Sequence, residues 1–210
     1  MASKPQRSSP RVRFPVAVGS ALVAAMLLFA AAPPASAAGY ARIDRYILKQ
    51  PVSGWQSLTK ARLDMVNNIL QGTENAVGHT YGWRIRTAVE GWHAPNSQQD
   101  TLTIIVLGFA LPKNKRSLIL RALRAGVTRA ASELCGASKP RSDVAYAAIP
   151  GARQVTCRAA SDGLSTTGII FKRSNLVTYV VSASLPVAAL QGISSQQYRA
   201  LPNKPTSITR

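Results

Sequence analysis

The chain reads as an α+β protein, a mainly antiparallel sheet with two helices packed on one face, and three stretches of sequence predict this class. Thr101 to Leu111 is apolar at both parities, the pattern of a strand covered on both sides. Lys115 to Cys135 repeats apolar residues at three- and four-residue steps, the pattern of an amphipathic helix. Gly168 to Phe171 and Leu176 to Val181 flank a short polar segment, as the two arms of a hairpin do. Strand, helix, two strands, helix and further strands, in that order, suit helices laid on an antiparallel sheet.

The N-terminus precedes this domain. Lys4, Arg7, Arg11 and Arg13 lead into an uncharged stretch from Phe14 to Ala32, and Ala35-Ser36-Ala37 then offers a small-residue cleavage site. That is the layout of a secretory signal peptide. Residues 1–37 are therefore assigned to a leader, 38–185 to a single domain and 186–210 to a flexible C-terminal tail. The expected location is secreted or periplasmic. The alternative is a retained N-terminal membrane anchor with the domain outside, since about 17–25 apolar residues can span a bilayer; Gly19, Ser20 and the many alanines weaken that reading.

Along the domain, Ala41 to Leu48 fits a short edge strand or a lead-in. Ser57 is placed as the cap of a helix running to about Gln71 and ended by Gly72, with Leu58, Arg62, Met65 and Ile69 recurring at helical steps. Trp83, Ile85, Thr87 and Val89 alternate with Arg84, Arg86, Ala88 and Glu90, which predicts a half-buried strand. Ala94-Pro95-Asn96-Ser97 turns the chain into the central strand, and Pro112 closes that strand. In the second helix Ile119, Leu123, Val127, Ala130 and Leu134 face inward, while Arg121, Arg124, Thr128, Arg129 and Ser132 face out. Val144 to Ala148 and Gln154 to Arg158 are extended, joined by the turn Ile149-Pro150-Gly151-Ala152. Lys172-Arg173-Ser174-Asn175 forms the hairpin turn, with Asn175 suited to a left-handed conformation.

Two cysteines, Cys135 and Cys157, in an exported chain read as a structural disulfide. A loop of this length contributes about 3 kcal/mol in the chain-entropy model. His79 and His93 could join them in a zinc site, but neither pair has the short spacing such sites use, and no metal is expected.

The sequence holds 26 Lys and Arg against 8 Asp and Glu, a formal charge of +18. Four of the basic residues lie in the leader, which leaves about +14 on the remainder. Such a field favours an anionic envelope polymer, a lipid surface or an acidic protein. Lys113, Lys115 and Arg116 cluster before the second helix, Arg121, Arg124 and Arg129 share its outer arc, and Lys172 and Arg173 occupy the hairpin turn. Together these eight residues are the candidate site for an anionic partner; a solvated helix face needing no ligand is the plainer account. Nothing reads bases, so sequence-specific nucleic acid binding is not expected.

Enzyme signatures are missing. Gly163-Leu164-Ser165-Thr166-Thr167-Gly168 is one residue too long for a nucleophile elbow and leads into a strand. No phosphate-cradling or dinucleotide loop occurs, so no cofactor is expected. Glu74, Glu90, Asp100 and Glu133 form no recognisable catalytic pair. His93, after Gly91-Trp92, could do acid–base work, and an envelope hydrolase with a dispersed site around it is the competing class. Of the tryptophans that could stack on a ligand, Trp83 is assigned to the core and Trp92 is the candidate for exposure.

The turn Ile149-Pro150-Gly151-Ala152 and the hairpin from Phe171 to Val177 resemble a pattern in small secreted proteins of high-GC bacteria, some of which are similar to the PsbP-like α+β sandwich. The resemblance covers about the C-terminal third of the chain. It implies the fold and supplies no catalytic residue. The expectation is a non-catalytic envelope-binding module, with an accessory subunit meeting an acidic protein as a further alternative.

Overall fold

The computed structural model describes residues 43–81, 84–135, 140–157 and 165–208, with side chains at 65, 69, 73 and 76–81 left undescribed. The expected leader and Trp83 lie outside the described residues. Among them, β1 (Gln56–Ser57), β2 (Ile85–Ala94), β3 (Ser97–Phe109), β4 (Ser142–Tyr146), β5 (Ala152–Thr156), β6 (Thr167–Arg173) and β7 (Leu176–Ser182) form one sheet. Its order is β1-β2-β3-β7-β6-β5-β4, and all neighbours are antiparallel. Helices α1 (Lys60–Tyr81), α2 (Arg116–Glu133) and α3 (Val187–Ala200) cover it. This is the α+β class that the sequence predicts.

The topology follows from one long hairpin, one crossover and a four-stranded meander. β2 and β3 pair through a tight turn at Pro95-Asn96, with a register shift at His93/Ala94. The connection through α2 then carries the chain to the far edge, and the meander β4 to β7 returns to pair β7 with β3. Alternation along each strand sends side chains to opposite faces. Ile105, Leu107, Val177 and Tyr179 meet Val66 and Leu70 of α1 and Ile119, Leu123 and Val127 of α2. Leu102, Ile104, Val106, Phe171 and Val180 form a second core with Leu190 and Ile193 of α3 and with Ile43 and Ile47. The double cover predicted for the central strand is present.

Several expectations need correction. The residues assigned to a flexible tail contain α3, which packs on the second face through Leu190, Ile193, Ser194 and Gln197. Gln197 fixes the lead-in as well: its Nε2 donates to the Tyr46 carbonyl at 2.7 Å, and its Oε1 accepts from the Leu48 amide at 3.0 Å. That segment is therefore a short 3-10 turn, Asp44–Tyr46, buried at Ile43 and Ile47, and not an edge strand. The edge belongs to Gln56–Ser57, so Ser57 pairs with Trp92 and does not cap the helix. Trp92 is 2% exposed, because β2 is covered on both faces and its alternation no longer marks a wet side.

Gly72 does not end α1. A helical glycine costs only about 1 kcal/mol, and tertiary contacts beyond it hold the helix: Glu74 accepts from Thr87 Oγ1 at 2.8 Å and pairs with Arg86 at 3.2 Å. In the β6–β7 turn the left-handed residue is Ser174, φ 55°, and not Asn175. Asn175 is fully buried.

Cys135, just past α2, and Cys157, just past β5, stand at disulfide distance, with sulfurs 2.14 Å and Cα atoms 5.3 Å apart. The Cα separation lies within the bonded range. Gly168 makes room for this junction. A Cβ there would lie 2.5 Å from Leu134 Cδ2, so a larger residue would force the Leu134 side chain to shift.

Candidate anion-binding surface

Helix α2 follows from its sequence period. Ile119, Ala122, Leu123, Gly126, Val127 and Ala131 are buried against the sheet, which leaves Arg121 and Arg124 exposed on the other side. The helix crosses over β5 and β6, the strand that ends at Lys172 and Arg173. Lys172 is there on the α2 side of the sheet. Burial pushes the Lys172 ammonium below the ordinary lysine range, and the positive charge of Arg124 pushes it the same way. Two cations that are 48 positions apart in the chain thus repel each other across the surface, a cost that a bound anion would relieve.

Four of the eight acidic side chains are engaged by other cations. Glu74 pairs with Arg86, Glu90 with Lys49, Glu133 with Arg129 and Asp143 with Arg153. Arg129 is paired along the helix with Glu133, at 2.8 Å. Among the described residues no ion pair engages Arg121, Arg124 or Lys172.

Arg173 is separated from Lys172 by strand alternation. Its guanidinium lies 4.6 Å from the centre of the Tyr198 ring, on the α3 face, and donates to the Tyr198 carbonyl and to Asn203 Oδ1. It ties α3 and the following segment to the hairpin and is no part of the α2 surface. Lys113 is exposed in the 3-10 turn Lys113–Lys115. Lys115 and Arg116 face a separate cavity of about 710 Å³ at the start of α2, which also takes in Arg84 and the C-terminal segment Pro205 to Ile208. The eight candidates therefore divide into a helix-face pair with Lys172, a cavity group, and Arg129 and Arg173 in structural pairings, with Lys113 apart.

The cavity wall formed by the C-terminal segment is held by Asn175. Its Oδ1 accepts from the Thr206 amide at 2.9 Å, and its Nδ2 donates to the carbonyls of Thr206 at 2.9 Å and Phe109 at 2.6 Å. A side-chain amide here imitates a strand partner on both of its sides. Ile208 then packs over Gly108, where a Cβ would lie 2.8 Å from Ile208 Cδ1. Arg84 was visible in the sequence only as the polar member of an alternating strand; nothing marked it as a partner of Lys115 and Arg116.

His93 stands at the opposite end of β2 from Arg84, about 30 Å away at the rise of a strand. Its Nδ1 lies 2.8 Å from the carbonyl of Ala94, and no carboxylate is hydrogen-bonded to the ring among the described residues. Cys135 and Cys157 are engaged with each other, and the His79 side chain lies outside the described residues. Comparison with protein-family models, with curated proteins and with solved structures returned no match.

Proposed function

We propose that this protein is an exported, non-catalytic module that docks on an anionic surface of the cell envelope through the outer face of α2. The observation that carries the reading is that Arg124 acts electrostatically on the half-buried Lys172 while Arg121 and Arg124 are exposed on one face of α2, with no ion pair to any of the three among the described residues. Supporting it are the net charge of about +14 that remains without the leader and a cysteine pair at disulfide distance, which suits an oxidising compartment. Each cation near an anionic membrane contributes about 1 kcal/mol.

Cosedimentation with phosphatidylcholine vesicles, with and without phosphatidylglycerol, tests this reading. The protein is expected to bind only the anionic vesicles and to be released as salt rises towards about 1 M. Arg121→Glu with Arg124→Glu should weaken binding by at least about 30-fold, two contributions of about 1 kcal/mol each. Equal binding by wild type and variant sinks the proposal. Binding unchanged by His93→Ala, with no turnover lost, separates docking from hydrolysis.

A further inference from the structure

The cavity at the start of α2 combines two features that seldom meet on a merely solvated surface. Arg84, Lys115 and Arg116 reach it from two chain segments, and neither an acidic residue among its lining nor an ion pair among the described residues offsets them. Leu111, Ile119 and Ile208 supply apolar side chains to its lining. Its volume, about 710 Å³, is within the size range of small-ligand sites, and it stays partly open to solvent. An anion alone would leave the apolar side chains unused, and a hydrocarbon alone would leave three cations without counter-charge among the described residues. A molecule with an anionic head and a short apolar chain satisfies both.

We propose that this cavity binds a single anionic amphiphile, its phosphate or carboxylate head held by Arg84, Lys115 and Arg116 and its chain against Leu111, Ile119 and Ile208. The C-terminal segment forms one wall, so the Asn175 clamp on Thr206 keeps the site shut on that side. The site is distinct from the α2 docking face and does not depend on it: Arg121 and Arg124 are absent from its lining.

The test is calorimetric titration of the full-length protein with dodecyl phosphate below its micelle concentration, beside inorganic phosphate and dodecanol. A single saturable site for dodecyl phosphate is expected, at least about tenfold tighter than for either fragment, since a charge-assisted contact and a buried chain each exceed that factor. Arg84→Gln and Arg116→Gln, both at exposed positions, should each weaken it several-fold, while Arg121→Glu with Arg124→Glu leaves it unchanged. Amide exchange at Thr206 and Ile208 should slow when the ligand is bound. Three results overturn the proposal: affinity unaffected by the two Gln variants, dodecanol binding as tightly as dodecyl phosphate, or inorganic phosphate doing so. Loss of the site in the Arg121/Arg124 variant would instead assign the binding to the docking face.

Discussion

Replacing Asn175 with alanine removes a clamp that joins three parts of the chain: the end of β3, the β6–β7 turn and the segment at Thr206. The side chain makes three hydrogen bonds, at 2.6, 2.9 and 2.9 Å, from a position with no solvent exposure. At about 1 kcal/mol net for each bond, the loss is about 3 kcal/mol, a large part of the stability of a single domain. With a urea slope of about 2 kcal/mol per molar, the unfolding midpoint falls by about 1.5 M at an unchanged slope. Urea titration followed by circular dichroism measures the midpoint, and hydrogen exchange reads the local effect at Thr206 and Ile208. Asn175→Asp retains the acceptor for the Thr206 amide but sets an unexposed carboxylate oxygen against the carbonyls of Phe109 and Thr206, so it should destabilise at least as much as alanine. A midpoint shift below about 0.5 M, with exchange at Thr206 unaltered, would refute the clamp.

Two further outcomes follow from the same structure. Cys135→Ser opens a link spanning 22 positions, which in the chain-entropy model costs about 3 kcal/mol, read as a fall in the denaturant midpoint relative to the oxidised protein. Lys172 should make stability rise with alkaline pH: its folded pKa lies below the ordinary value, 10.5, so in the window beneath that value the unfolded chain binds more protons and folding gains as pH increases. The difference in unfolding free energy between wild type and Lys172→Met, followed across that window, should carry this slope, and a flat difference would show that Arg124 and burial do not act on Lys172.

Much of the fold was legible because its signals are local. The two-sided apolar pattern of β3, the period of α2 and the arms of the β6–β7 hairpin each follow from residues within one segment. Helix α3 was not legible, for a definite reason. Two of its four buried side chains are polar, Ser194 and Gln197, so its apolar stripe is too thin to read, and Gln197 is buried because it bonds a segment 149 and 151 positions away. Trp92 was misplaced by the same cause, since α3 and the lead-in cover the face that alternation alone would leave wet.

What the sequence alone determined is the class of fold, the pairing of Cys135 with Cys157 as the available thiols, and a cationic outer face on α2, because periodicity and composition act along the chain. Only the tertiary structure decided which cations belong together. Adjacent strand positions point to opposite faces, so Lys172 joins Arg124 while Arg173 crosses to Tyr198. Residues distant in the chain, Arg84 and Thr206 among them, meet at the end of the sheet where β2 begins and β3 ends. Charge can be counted from a sequence, but its convergence depends on sheet order and strand parity, which are properties of the folded chain.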